Sequence, residues 1–214
     1  MIRMTGRTVF LTGGSGGLGP AVSAALTAGG WRVVAPTRSE TDLTDETAVT
    51  AAVATAAADP AAPLRAAVNL VGGFAMGGLV HETPVADFEA MLRLNLRPTY
   101  LVTAAALPHL TAAGGGAVVC VSSRAALHPF AGAAGYVTAK AALLAFADAV
   151  AVEYRASGVR CNTVVPGTID TPANRAAQPG ADPSRWTDPA RIADVIAFLV
   201  SDAATSVTGA RVPV

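Results

Sequence analysis

The stretch Arg7-Thr8-Val9-Phe10-Leu11-Thr12-Gly13-Gly14-Ser15-Gly16-Gly17-Leu18-Gly19 begins as an apolar run of strand length and ends in a turn dominated by glycine. Behind it, Pro20 to Ala28 is alanine-rich with helical periodicity, and Gly29-Gly30 is a stop signal for a helix. A strand, a glycine turn and a helix in that order form the first half of a dinucleotide-binding unit. Glycines let the backbone approach a pyrophosphate, and the positive end of the helix favours its charge. Thr12, Gly13, Ser15, Gly17, Leu18 and Gly19 are the candidate contacts in this turn.

The same alternation continues along the chain. Strands are predicted near 8–12, 31–36, 66–70, 117–122, 159–165 and 210–214, and helices near 18–28, 46–58, 85–112, 134–156 and 189–201. Strands that alternate with helices imply parallel strands joined by crossovers, with ligands bound outside the carboxyl ends of the strands. At 214 residues the chain is long enough for one α/β domain, 1–214, built on a doubly wound parallel sheet of about seven strands with helices on both faces. Hydrophobic residues make up 52%, much of it alanine, which suits helices packed closely on a sheet.

Composition narrows the function further. A formal charge of zero gives no sign of nucleic-acid or membrane-surface binding. The longest apolar runs are broken by Gly, Pro or charge, and no secretion leader is evident, so a cytoplasmic location without a membrane span is expected. Cys120 and Cys161 lie in strand-like runs and read as buried free thiols. His81, His109 and His128 lack metal-ligand spacing, and no metal site is expected.

Near the middle of the chain, Tyr136 and Lys140 stand one helical turn apart, and Ser123 lies thirteen residues before the tyrosine at the end of an apolar run. A phenol acts as a general acid near neutral pH only if something stabilises its ionised form, and a lysine on the same helix face places a positive charge beside it. A serine at the end of a neighbouring strand could hold a carbonyl oxygen opposite the phenol.

Read together, these motifs make the chain resemble the short-chain dehydrogenase/reductase family over nearly its whole length. Thr12-Gly13-x-x-x-Gly17-x-Gly19 is similar to the family's cofactor turn, Asn69-Leu70-Val71-Gly72-Gly73 to its NNAG segment, and Pro166-Gly167-Thr168-Ile169-Asp170-Thr171 to the segment at the nicotinamide end. In the NNAG-like segment only Asn69 and Gly72 match. The resemblance implies catalytic roles for Asn95, Ser123, Tyr136 and Lys140. Ser123 would hold the carbonyl oxygen and Tyr136 would donate the proton. Lys140 would lower the phenol's pKa and bind the nicotinamide ribose, while Asn95 would position a water that refills the proton. Asn69, Gly72, Pro166, Gly167, Ile169 and Thr171 would border the cofactor. The implied activity is NAD(P)-dependent hydride transfer between a ketone or aldehyde and an alcohol, as in 3-oxoacyl reductases. The alternatives are an alcohol dehydrogenase using NAD and a nucleotide-sensing protein without turnover, and the intact serine, tyrosine and lysine argue against the latter.

Two segments depart from the family pattern. Between the second strand and Asp42-Leu43 there are too few residues for the usual helix, an omission shared with the dihydropteridine reductase branch, which however lacks the catalytic serine and asparagine. Asp42-Leu43 still resembles the pair that contacts adenine at the end of the third strand. Thr37 stands where NAD-preferring members carry Asp, and Arg38 where many NADP-preferring members carry Arg, so NADP(H) is favoured over NAD(H). Glu40 lies close enough in sequence to pair with Arg38. The lid from Pro172 to Pro189 is short, which implies an open pocket for a flat or bulky small molecule lined by Phe74, Met76, Leu127, His128, Phe130 and Trp186. Helices 85–112 and 134–156 are apolar on more than one face, which implies a homo-oligomer, a tetramer or dimer.

Overall fold

A computed structural model describes residues 6–214. In chain order the elements are β1 (Arg7–Thr12), α1 (Gly19–Ala28), β2 (Trp31–Val34), α2 (Glu46–Ala57), β3 (Leu64–Asn69), α3 (Val85–Asn95), α4 (Arg97–Ala112) and β4 (Gly116–Val121). These are followed by α5 (Ala134–Glu153), β5 (Val159–Val165), α6 (Pro172–Ala177), α7 (Pro189–Val200) and β6 (Arg211–Pro213). The six strands form one parallel sheet in the order β2-β1-β3-β4-β5-β6.

Alternation along the strands divides the apolar residues between the two faces of the sheet. Phe10, Ala67, Val118 and Cys161 face α2, α4 and α5, whereas Val9, Leu11, Val68 and Val119 face α1 and α7. Ile192, Ile196 and Leu199 recur at helical spacing on α7 and are fully buried against the second face. Each such side chain stabilises the fold by about 1.5–3 kcal/mol. Cys120 and Cys161 are buried free thiols, as their apolar contexts imply.

Three expectations are corrected. The sheet has six strands rather than about seven, because Thr37 to Asp45 is a chain of turns and Asp42-Leu43 lies in it, not at the end of a strand. β2 therefore becomes the sheet edge. The helix expected over 85–112 is two helices, α3 and α4, joined at Leu96. Pro98 causes the break: it lacks the N–H for a helical bond, and its ring opposes the carbonyl four residues back. The lid, where no helix is predicted, contains the short helix α6, whose N-cap Thr171 accepts from the Asn174 N–H. The helix Ala134–Glu153 is long and apolar enough to cross a membrane by length and composition, but its Ala139, Lys140, Leu143 and Ala147 are buried within this fold.

Arginines near the strand starts share one regular task that only the assembled fold reveals. α1, α2 and α7 carry no basic residue in their last turns. Arginines at the starts of strands reach their carbonyl ends instead. Arg7 of β1 donates to Gly29 O, Arg32 of β2 to Ala56 O at 2.8 Å, and Arg65 of β3 to Ala113 O beyond α4. Arg160 of β5 donates to Leu199 O at 2.7 Å and to Ser201 O at 3.1 Å. A guanidinium at a helix C-terminus pairs otherwise orphaned carbonyls and opposes the negative end of the dipole. For Arg160→Met, which keeps the apolar stem, we expect a loss of about 1.5–3 kcal/mol, the scale of hydrogen bonds from a charged group. Calorimetric unfolding should show a Tm lower by roughly 2–4 °C per kcal/mol. An unchanged Tm would show that water serves those carbonyls equally well.

Candidate active site

Chain order and strand order reverse direction between β1 and β3, so the crevice beyond these two strands is the place for a ligand. Two segments meet there. The turn after β1 needs Gly13, whose φ of 73° lies in the left-handed region, and it closes with Gly16 N donating to Gly13 O and Gly19 N donating to Gly16 O. Thr12 ties it to β3: its hydroxyl accepts from Leu70 N at 3.2 Å. The exposed side of the turn is formed by Ser15, Gly16 and Gly17. A Cβ on Gly17 would lie 2.7 Å from Thr171 Cγ2, so the turn and the start of the lid touch only because residue 17 lacks a side chain.

The residues present fit a dinucleotide. α1 follows the glycine turn directly and, like α4 and α5, has neither a side-chain cap nor an acidic residue in its first turn, whereas α2, α6 and α7 are capped by the side chains of Asp45, Thr171 and Asp188. The bare glycine backbone of the turn, with the uncapped start of α1 behind it, forms a cradle for a pyrophosphate.

The second segment leads into the catalytic group. Asn95, fully buried at the end of α3, accepts from Gly73 N at 3.1 Å and donates to Gly73 O at 3.0 Å and Met91 O at 3.1 Å. Its carboxamide is therefore engaged by backbone and ties the Gly72-Gly73 segment to the end of α3. Lys140 is buried on α5, and its Nζ donates to Val121 O at 3.1 Å. A Cβ on Gly72 would stand 2.7 Å from Asn95 Oδ1 and 2.9 Å from Lys140 Nζ. Gly72 thus leaves room for both groups.

Tyr136 is half-buried one turn before Lys140, with Lys140 Nζ 5.9 Å from its ring centre. Burial holds the phenol above its ordinary pKa, and a hydrogen bond with Ser123 pulls the other way. Burial also pushes the Lys140 ammonium down to about 8. At neutral pH the pair is a neutral phenol beside an ammonium ion, which is the state of a proton donor. Ser123 accepts from Ala125 N at 3.2 Å, which fixes its oxygen at the mouth of the strand-end turn.

The remaining residues sort by position. Asn69 Nδ2 donates to Thr103 Oγ1 at 3.1 Å, so its side chain braces β3 against α4 instead of facing the crevice, and its Oδ1 has no partner. Pro166 O accepts from Arg124 N at 2.8 Å, which places Pro166-Gly167 beside the serine turn. Ile169 bridges to Thr187 and shapes the base of the lid. Exposed Phe74 meets Tyr136 edge-on at 5.0 Å and Phe130 at 6.2 Å, a coupling that sequence order could not show. Met76 follows on the same loop, which pairs with the Phe130 loop through Gly77 N and Gly132 O. His128 is exposed and Trp186 half-buried; among the described residues neither side chain has a hydrogen bond or aromatic contact with Tyr136.

Beyond β2, Arg38 and Asp42 are exposed and Leu43 is half-buried. Glu40 does not pair with Arg38; its carboxylate binds Thr37. The Thr-x-x-Glu spacing is that of a capping box and could have signalled this contact.

Comparison with known proteins agrees with the geometry. Residues 3–214 match the family described as Enoyl-(Acyl carrier protein) reductase. The chain is 34% identical to 2-(R)-hydroxypropyl-CoM dehydrogenase of Xanthobacter autotrophicus, with 95% of each chain covered. It is 38% identical to cis-4-hydroxycyclohexanecarboxylate dehydrogenase of Sinomonas cyclohexanicum, over 79% of this chain and 71% of that one. A crystal structure of a short-chain dehydrogenase/reductase family oxidoreductase from Burkholderia thailandensis superposes with a TM-score of 0.86 at 30% identity, covering 98% of this chain and 91% of that one. With the glycine turn, the Gly72 clamp and the serine, tyrosine and lysine brought to one crevice, the chain belongs to the short-chain dehydrogenase/reductase family of oxidoreductases.

Proposed function

We propose that the protein reduces the carbonyl group of a small molecule to an alcohol, or runs the reverse oxidation, with NADP(H) favoured as cofactor. The observation that carries this reading is the half-buried Tyr136 phenol one helical turn before the buried Lys140, whose Nζ lies 5.9 Å from the ring centre, beside the Ser123 turn at the end of β4. A nicotinamide nucleotide, when bound, supplies or accepts the hydride. Ser123 donates its hydroxyl proton toward the carbonyl oxygen, and Tyr136 delivers the proton that this oxygen needs as it becomes an alcohol. Lys140 keeps two N–H groups beyond the one given to Val121 O, enough to hold a ribose while its charge steadies the phenolate left behind. Asn95 acts as a positioning residue through Gly73.

The exposed Phe74 and Phe130 rings beside Tyr136 suit a substrate with a flat or cyclic apolar body. The cyclohexane ring in the name of the Sinomonas relative's substrate supports that class. Both relatives are named dehydrogenases, which favours the oxidative direction as the second reading. The same residues serve it, with Tyr136 taking up the proton it would otherwise give.

Assembly follows from the outer helices. Tyr100 of α4 and Phe146 of α5 meet as a tilted pair with ring centres 5.7 Å apart, and Tyr100 is largely exposed. Such a face is suited to the same face of a second copy, forming a dimer or a tetramer.

Three outcomes check these points. Tyr136→Phe removes only a hydroxyl and should retain nucleotide binding while turnover with a cyclic ketone panel falls by at least about a hundredfold; near wild-type turnover would remove Tyr136 as proton donor. Arg38→Ala should raise the KM for NADPH far more than for NADH, by the equivalent of about 1.5–3 kcal/mol. A wild-type preference for NADH, or an unchanged preference in the variant, would reject Arg38 as the phosphate contact. Light scattering at micromolar concentration should give a multiple of the 21.3 kDa chain mass, and a monomer would reject the interface.

A further inference from the structure

The turn after β2 carries an anion of its own. Glu40 Oε2 accepts from the Thr37 backbone N–H at 2.7 Å and from the Thr37 hydroxyl at 2.8 Å, and that hydroxyl lies 3.0 Å from Ser39 Oγ. These bonds, the backbone one foremost, hold the Glu40 carboxyl below its ordinary pKa. Arg38, between the two residues, makes no side-chain hydrogen bond or ion pair with any described residue.

In a fold of this kind the residue at the end of the second strand meets the adenine ribose: a carboxylate there accepts from the ribose hydroxyls, and an arginine there takes a 2′-phosphate. This chain presents both chemistries at one place. A phosphate monoester needs a backbone N–H, a hydroxyl and a guanidinium, and Thr37 with Arg38 offers that set. The Glu40 carboxylate already holds two of these donors. A dianion cannot share them with a carboxylate, since like charges a few ångströms apart repel and each donor proton serves one strong acceptor best. A ribose diol has no charge and donates to a carboxylate, so it is compatible with Glu40 in place.

We propose that Glu40 sets the nucleotide selectivity of this protein as an internal competitor: its carboxylate must leave the Thr37 donors before a 2′-phosphate can enter. The inference rests on the reading of Arg38 as the phosphate contact. It adds that Arg38 and Thr37 bind a 2′-phosphate more weakly than they would without Glu40. In NAD(H) binding Glu40 takes the part of the aspartate that Thr37 replaces.

The test separates binding from turnover. Dissociation constants for adenosine 2′,5′-bisphosphate and adenosine 5′-monophosphate are measured by titration calorimetry on wild type, Glu40→Gln, Glu40→Ala and Arg38→Ala. Removing the charge with Glu40→Gln should tighten the bisphosphate about tenfold, the scale of one charge-assisted contact, and leave the monophosphate unchanged or weaker. Bisphosphate binding that is unchanged or weaker in Glu40→Gln overturns the proposal, because Glu40 then serves only to shape the turn. Should Glu40→Ala loosen the turn, seen as a lower Tm, Glu40→Gln decides alone. Arg38→Ala with unchanged bisphosphate binding overturns the Arg38 reading whatever Glu40 does. A tighter Glu40→Gln together with a weaker Arg38→Ala supports both.

Discussion

Parallel pairing of all six strands is the constraint from which the rest of this molecule follows. Every crossover helix must then run back against the strands, so helix carbonyl ends gather where strands start and helix N–H ends gather where strands finish. The two edges of the sheet acquire opposite electrostatic character before any particular side chain is chosen. At the starting edge, Arg7, Arg32, Arg65 and Arg160 answer the carbonyl ends. At the finishing edge the α1 terminus is left without a cap or an acid, and an anionic nucleotide completes what the chain omits.

The same arrangement explains why so much of the site depends on absent side chains. Strand ends converge on one crevice, and groups from different elements must approach closely there. Gly72 lies between the Asn95 carboxamide and the Lys140 ammonium, and Gly17 lies against Thr171; at each position a methyl group would need space that another element already fills. Asn95 and Lys140 reach their partners across the fold, Gly73 and Val121 respectively, so the chemistry rests on main-chain contacts at strand ends more than on contacts between catalytic side chains. Lys140 is the costly element: burial lowers its pKa to about 8, a penalty accepted for a cation next to a phenol.

Features expressed within a few residues were legible in the sequence. The strand, glycine turn and helix of residues 7 to 28, the Tyr136–Lys140 spacing and the serine at a strand end each follow from short-range periodicity and appear where expected. What was not legible depends on which distant elements become neighbours. Nothing local to the strand arginines says that the Ala56 or Leu199 carbonyl lies within reach. The Phe74–Tyr136 contact joins residues 62 positions apart, and the inward turn of Asn69 depends on Thr103 of α4. The break at Leu96 was legible in principle through Pro98, but continuous apolar periodicity across it favoured one long helix.

The missing outer strand ties the architecture to the nucleotide question. With β2 at the edge, only the four residues Trp31–Val34 pair, and Pro36 follows at once, which leaves little unpaired backbone for unwanted strand addition. The chain then goes from β2 to the Asp45 cap of α2 in a few tight turns, with Glu40 N bonded to Thr37 O, Thr41 N to the same oxygen, and Asp45 N to Asp42 O. That compactness brings a residue three positions beyond Thr37 back onto its N–H and hydroxyl. A helix leaving β2 in the ordinary way would carry position 40 onward along its axis at about 1.5 Å per residue. Shortening the fold at its edge therefore did more than remove an element: it folded the Glu40 carboxylate onto the Thr37 backbone N–H and hydroxyl, two residues from Arg38.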